Sequence, residues 1–545
     1  MIPASNRRWK SLEGRDGKIL LVIFIIACAL IFPKLGDRRL WQDEAETALI
    51  AVNVLHTGLP FGWDGRRLVT QNDGQEMTES YLWAWTPWLM HYIAAAGIAV
   101  GGENSFGARW PFALLGCVSF PLFYWLVRRM SDSRPLAIVA VALLLSSVQY
   151  LLLMRQCRYY ALLPAAFFLS LAGYQALPTK RGTVALGIGL VLLFHSNYVS
   201  CAIAATGLLL HAALFRRTGA IWKQLIISGL ILAAGAIPWI VGTGVASRAS
   251  ALTSAKFSEG LLGTILMSNR YVCPWLVIVP LFLIYRVKRM RMDGAFALCL
   301  CLIIPMFFFL PMFLWPNPRY VSFLLPIGAL IEAHAVRALY AWKSGLGLAL
   351  ALFLAGSNVL IAPLPALLPT NIGRELFGGA VETGRDALAL GLIKSELGGY
   401  AFEITHHGQG PDEELVSFVE QNTAEDDLIG ITHNGLPIMF HTRRALTGLL
   451  SPETRERAGW DKLPPYLRDV SLARWIILRP EPFGPERMSK PEVLDALQRE
   501  GVAIERVLHL DIDDTRWINN PLVPHHVFRP HKDSSEGIDV LLLSH

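Results

Sequence analysis

Trp41-Gln42-Asp43-Glu44-Ala45-Glu46 follows almost directly on an apolar stretch, Ile19–Phe32, and the reading of that junction decides the fold. Three carboxylates stand where a hydrophobic helix has just ended. The apolar stretch is long enough, with its flanks, to enter a bilayer whose hydrocarbon is ~30 Å thick. Its flank Lys34-Leu35-Gly36-Asp37 lacks the small-residue pattern of a cleaved leader, so the stretch reads as a retained helix. The acidic run opens a long polar loop, 36–106, before the next strongly apolar region.

The same alternation continues along the chain. Of 545 residues, 53% are hydrophobic and 17% charged, against about a quarter charged in ordinary globular proteins. Candidate spans fall at 18–35, 107–127, 135–153, 160–177, 183–196, 197–214, 221–242, 272–286, 294–314, 320–337 and 345–363. Apolar blocks stop near Pro369, and the mixed composition of 370–545 reads as a separate soluble domain. The expected division is a tail over 1–18, a membrane domain over 19–369 and an α/β domain over 370–545.

Charge sets the orientation. The tail carries Arg7, Arg8, Lys10, Arg15 and Lys18 and is expected to be cytoplasmic. Arg128-Arg129 with Arg134, Lys180-Arg181, Arg216-Arg217 with Lys223, Arg286 through Arg291, and Arg337 with Lys343 all fall on the cytoplasmic side only if 83–100 does not cross. That segment, with Trp83, Trp85, Trp88 and Tyr92, is therefore expected to lie in the outer interface. The arrangement gives about eleven crossings and an extracytoplasmic C-terminal domain, in a bacterial inner membrane.

This topology gathers the polar interruptions on the external face. Besides Asp43, Glu44 and Glu46 they are Arg155 and Arg158 in Met154-Arg155-Gln156-Cys157-Arg158-Tyr159-Tyr160, then His195 and Asn197, then Asn269 and Arg270, then Asn317, Arg319 and Tyr320. Guanidinium forks suit phosphate oxygens, and external arginines at tight turns run against the positive-inside bias. Carboxylates facing arginines at a membrane surface imply chemistry on a phosphate-bearing lipid. The bland alternatives are a solvated loop start for the carboxylates, head-group anchoring for the arginines, and a hydrogen-bonded bundle histidine for His195.

All seven cysteines (Cys28, Cys117, Cys157, Cys201, Cys273, Cys299, Cys301) lie before residue 370, so the soluble half has neither disulfide nor thiolate metal site. In that half Asp427–Thr432, Trp475–Leu478 and Val540–Leu543 read as strands, Glu413–Gln421 and Val493–Leu497 as helix. The Gly410-Pro411-Asp412 run reads as the first helix's cap. No glycine-rich phosphate loop is present. The pairs His406-His407 and His525-His526 read as solvated surface.

The strings LWQDEAETA, TPWLMHYI and ENSFGARWPFALLG resemble the opening of the C-type membrane glycosyltransferases, the superfamily (GT-C) of lipid A aminoarabinose transferases and protein O-mannosyltransferases. RQCRYYALLPA and PNPRYVSFLLP resemble its rhizobial galacturonosyltransferase-like branch. The resemblance covers 38–340 as motif order. It implies a polytopic α-helical membrane domain with a small extracytoplasmic α/β domain. It also implies transfer of a sugar from a polyprenyl-phosphate donor to an envelope glycolipid, lipopolysaccharide or protein. Asp43 would be the base, with Glu44 and Glu46 beside it. Arg155, Arg158, Arg109 and Arg319 would hold the lipid phosphate, among substrate contacts that include Tyr159, His195, Asn197, Arg270, Asn317 and Tyr320. No cofactor is implied, a divalent metal is not required, and nucleic acid is not a partner. Trp85-Thr86 and Leu163-Pro164 stand where the aminoarabinose transferases carry Glu-Lys and Asp, which argues against that sugar. A lipid-linked glycan ligase or polymerase would use the same arginines. A transporter or flippase would instead place ionisable groups and internal repeats about the midplane; no repeat is seen.

Overall fold

The computed structural model describes residues 14–71, 76–245, 257–287, 294–312, 318–372, 383–391, 396–407, 410–448, 470–480, 488–512 and 537–544. Asn317 and the His525-His526 pair lie outside these, as does the basic tail before Gly14. Two compact units divide the chain: one of Met1–Pro33, Ala113–Arg155 and Tyr159–Tyr400, the other of Lys34–Phe112, Gln156–Arg158 and Ala401–His545.

The first unit is helical. Its elements are α1 (Gly14–Ile31), then, beyond α2 (Gln42–Thr57) and α3 (Leu89–Gly101) of the other unit, α4 (Ser105–Ser131), α5 (Arg134–Ser146), α6 (Val148–Met154), α7 (Leu162–Gln175), α8 (Lys180–Ser196), α9 (Tyr198–Phe215) and α10 (Gly219–Thr243). They continue as α11 (Phe257–Tyr271), α12 (Trp275–Val287), α13 (Gly294–Ile303), α14 (Leu325–Trp342) and α15 (Ser344–Gly356). Among the described residues five helices are long and apolar enough to cross a membrane, or up to seven if each of two bent pairs counts once. The eleven expected crossings are therefore not reached by length and composition.

Two differences explain part of the gap. The expected single span 135–153 is broken into α5 and α6, which meet at 72° across Ser147 in extended backbone. The segment Phe257–Tyr271, given no span from the sequence, pairs with Trp275–Leu283 at 81°, where Pro274 withholds an N–H from the ladder. The expected 83–100 segment forms the short α3 of only 13 residues. The outward faces are apolar: on α10 Ile226, Leu230, Ile237 and Val241 are exposed, a surface that water would penalise at ~25 cal/mol per Å² and hydrocarbon would not.

Helices α7 and α8 show how tightly these spans meet. A Cβ placed on Gly173 would stand 2.3 Å from the backbone nitrogen of Leu186, so the two backbones touch there, as small residues permit in bilayer bundles. Elsewhere in the unit Asp16 is buried against Tyr124 Oη (2.8 Å) and Arg134 Nε (3.1 Å).

The second unit combines the loop after α1 with the C-terminal segment. It contains α2, α3, α16 (Pro411–Asn422), α17 (Leu436–Thr442) and α18 (Lys490–Arg499). Its sheet joins β1 (Leu428–Ile431), β2 (Ala445–Gly448), β3 (Trp475–Leu478), β4 (Ile504–Leu510) and β5 (Ile538–Leu543) in the order β2-β1-β3-β5-β4. β1 is parallel to β2 and β3, and β5 runs antiparallel to β3 and β4. Ile476, Leu478, Val493, Leu497, Leu541 and Leu543 form the core between β3, β5 and α18, and Ser489 with Glu492 makes a capping box at the start of α18. β1, β3 and β5 match the strands read from the sequence. β2 was missed because Ala445-Leu446-Thr447-Gly448 holds one large apolar residue, and β4 because it is a largely exposed edge. Within the expected capping run Gly410 is the N-cap of α16, without a side-chain bond, and the helix begins at Pro411. Asp412 is instead buried against Arg479 at 3.5 Å.

Candidate active site

The acidic run folds into the first two turns of α2, with Trp41 at the N-cap. Carboxylates there complement the helix dipole, and the i, i+1, i+3 spacing sends the three side chains to different partners. The outcome differs for each.

Glu44 is fully buried (0% exposed). Its Oε1 accepts from Arg109 Nε at 2.8 Å and from the Cys157 backbone N–H at 2.7 Å, and its Oε2 accepts from Arg109 at 2.5 Å. Arg109 uses its remaining N–H groups on the carbonyls of Leu35, Arg38 and Arg39. All five guanidinium donors are engaged within the protein, with Glu44 as the paired carboxylate, where a phosphate contact was expected of Arg109. Together they pin the 156–158 turn and the 35–39 loop to the start of α2.

Glu46 and Asp43 share Arg158. The guanidinium donates to Glu46 Oε1 at 2.8 Å, to Thr47 Oγ1 at 2.8 Å and to the Asp43 carbonyl at 3.0 Å, and stands 3.6 Å from Asp43 Oδ2. The Gln71 amide bridges the pair, donating to Glu46 at 2.5 Å and to Asp43 at 3.4 Å. Gln71 is held by Glu76, which accepts from the Gln71 backbone N–H at 2.6 Å and from Thr70 Oγ1 at 2.9 Å. Glu46 is nearly buried and Asp43 is not: their side chains are 4% and 15% exposed. Burial raises the Glu46 carboxyl to about 7, partly opposed by Arg158 and reinforced by Asp43. The cluster thus holds one accessible carboxylate and one buried carboxyl able to exchange a proton near neutrality.

His91 of α3 completes the floor, wholly buried edge-to-face against Trp83. Burial and the nearby Arg158 cation lower it to about 3, so it is neutral. The C-terminal part of the same unit buttresses this helix start. His441 Nε2 accepts the Leu40 N–H at 3.0 Å, Glu413 accepts that of Arg39 at 3.1 Å, and Gln42 accepts that of Leu436 at 3.1 Å. Burial, then Arg39 and Arg109, lower His441 to about 3, which suits an acceptor. Gln71, Glu76, His91 and His441 escaped the sequence reading. His91 stands inside TPWLMHYI, but only folding brings Gln71 from 25 residues away.

The other expected residues have mostly structural places. Arg155, in the helical unit, donates to the carbonyls of Leu30, Ile31 and Pro33, capping the C-terminus of α1. This differs from the free phosphate fork expected of it. Tyr159 packs edge-to-face on Tyr160. His195 Nε2 lies 3.1 Å from the Gly235 carbonyl, and Asn197 caps α9 through Ser200. Ser200 also bonds the Tyr320 carbonyl, and Arg319 stacks over the Tyr320 ring. Arg270 stands 3.9 Å from Glu396, while Asn269 bonds Ile361 and Trp275. His407 pairs with Asp37 on the surface, and His406 stacks on Phe402.

No protein-family model matches the sequence, and the search among curated proteins found no match. Solved structures do match. The crystal structure of ArnT from Cupriavidus metallidurans bound to undecaprenyl phosphate shares 15% identity over 97% of both chains, at TM-score 0.60. The apo state of the same protein shares 13% identity over 90% of this chain and 95% of that one, at TM-score 0.58. The Archaeoglobus fulgidus oligosaccharyltransferase covers 85% of this chain and 69% of its own, with 12% identity and TM-score 0.48. The chain shares the fold of ArnT.

Proposed function

We propose that the chain transfers a sugar from a polyprenyl-phosphate donor to a hydroxyl of an envelope acceptor, with inversion at the anomeric carbon. The observation that carries the reading is the Asp43–Glu46–Arg158 cluster, in which Asp43 is the most exposed of the run's three carboxylates. The likeness of the whole chain to ArnT, a protein solved bound to undecaprenyl phosphate, supports the donor class.

In this mechanism Asp43 takes the proton of the acceptor hydroxyl as its oxygen attacks the anomeric carbon. The bond to the donor phosphate breaks, and the polyprenyl phosphate leaves with the electron pair. Arg158 is the cation closest to Asp43 and would stabilise charge gathering on the leaving phosphate. Gln71 keeps the Asp43 and Glu46 carboxyls at fixed separation. Orientation follows the lysine and arginine distribution, which puts this chemistry on the external face of the membrane.

The test compares Asp43→Asn with Glu46→Gln in a deletion strain, read by mass spectrometry of envelope glycolipids and glycoproteins. Binding of undecaprenyl phosphate to the purified chains is measured in parallel. Asp43→Asn should lower transfer by about 10²–10⁴ and leave lipid binding intact. Loss with Glu46→Gln alone moves the base to Glu46, and full activity in both removes the cluster from catalysis.

A further inference from the structure

A second polar site lies in the helical unit, formed by residues the transfer mechanism does not use. A cavity of about 110 Å³ opens where the chain breaks between α5 and α6 and between α11 and α12. That is room for several waters or a small ion. Gln149, Glu332, Asn358, Ser147, Arg270 and Glu396 are its polar lining.

Gln149 is 3% exposed, and neither its amide oxygen nor its amide nitrogen has a hydrogen-bond partner. An orphaned amide in such a place calls for an unseen partner. Glu332 of α14 also faces the cavity without a hydrogen bond or ion pair among the described residues. The remaining charges are already matched: Arg270 stands by Glu396, whose Oε1 is 3.4 Å from Asn358 Nδ2. One carboxylate is left over.

Helix ends add to this imbalance. α15 terminates at the cavity, and the carbonyls of Leu354, Ala355 and Gly356 accept no hydrogen bond among the described residues. α5 terminates there too, at Ser146. C-terminal helix ends carry partial negative charge and favour cations. The N-terminal ends facing the cavity are already capped: the Tyr150 N–H bonds Ser147 Oγ, and the Trp275 N–H bonds Asn269 Oδ1. At these helix ends the backbone donors are met and the backbone acceptors are left open.

We infer that this cavity binds a single positive charge through oxygen ligands, either an alkali-metal ion or a small primary ammonium group. Glu332 supplies the counter-charge, and the Gln149 amide oxygen with the α15 carbonyls supplies neutral ligands. Broken helices with free carbonyls are the form that membrane proteins give to monovalent-cation sites. One unpaired carboxylate and a small cavity fit a monovalent ion rather than calcium, which takes 6–8 oxygens, several of them anionic.

The thermal midpoint of the full chain in detergent tests this at constant ionic strength, with N-methylglucamine chloride replaced stepwise by sodium, potassium or methylammonium chloride. A saturable rise with sodium or potassium identifies an alkali-ion site, and a rise with methylammonium alone identifies an ammonium site. Glu332→Gln and Gln149→Leu should each abolish that rise. If Glu332→Gln does not fold, Gln149→Leu alone decides. Identical wild-type midpoints in all four salts, an unsaturable rise, or a rise that survives in Gln149→Leu overturns the proposal.

Discussion

Glu44 and Gln149 are both polar side chains with almost no exposure, yet their surroundings are opposite. Three donors converge on Glu44, and none reaches Gln149. A buried group with a full complement of partners holds the chain together. A buried group with none marks a place where something else must sit. Within the carboxylate cluster itself the same contrast recurs in weaker form: Glu44 is saturated, burial raises the Glu46 carboxyl, and Asp43 is the most exposed of the three. Burial therefore sorts one acidic run into a strut, a proton-exchanging neighbour and a candidate base.

The contrast can be broken most directly at the strut. Glu44→Ala leaves Arg109 buried without its anion, and removing one partner of a buried pair costs about 3–5 kcal/mol. Chemical denaturation of the purified chain should show that loss, and transfer should fall with it. If Glu44→Ala is as stable as the parent, the pair is not the clip described and Arg109 returns as a phosphate ligand.

A smaller effect separates the arginines. Arg155→Ala removes charged donors from the carbonyls at the end of α1, worth about 1.5–3 kcal/mol for hydrogen bonds to a charged group. Stability should drop and undecaprenyl phosphate affinity should hold. Arg158→Ala should do the reverse, weakening lipid binding with little loss of stability, because Glu46 can take up a proton once its counter-charge is gone. Equal affinity losses in both variants would restore Arg155 to the donor site.

The smallest expected effect belongs to Glu46 and pH. Its carboxyl ionises near 7 in the fold against an ordinary 4.5, so the folded chain holds a proton the unfolded chain releases. The stability this group contributes is complete below about 4.5 and lost as pH rises through about 7. Thermal midpoints across that window should decline in the parent and be flatter in Glu46→Gln. A decline of the same slope in both would mean that Glu46 is ionised throughout.

Much of the fold was legible because its signals are local. Hydrocarbon length fixes which stretches are apolar, so α4, α9, α10 and α14 fall close to the spans read from the sequence. Short continuous apolar runs gave β1, β3 and β5. The breaks at Ser147 and Pro274 were less legible, since Ser146-Ser147 lies in an otherwise apolar run and the bend depends on what packs against it. The site was half legible. The acidic run and Arg158 stand out by composition, and the structure brings them together.

The sequence by itself determined that the chain alternates apolar and polar segments, that its last third forms an α/β sheet, and that carboxylates and arginines mark the polar turns. These follow from composition and short-range periodicity, which act within a few residues. The division of labour among those charges was decided only by tertiary structure. Arg109 and Arg158 are the same residue type at polar boundaries of apolar segments, but one meets five acceptors and the other meets Asp43 and Glu46. Asp43 and Glu44 are neighbours in the chain, but a helical turn of about 100° per residue points one toward Gln71 and the other toward Arg109. Desolvation and hydrogen-bond count depend on which surfaces meet across long stretches of chain, and no local pattern encodes them.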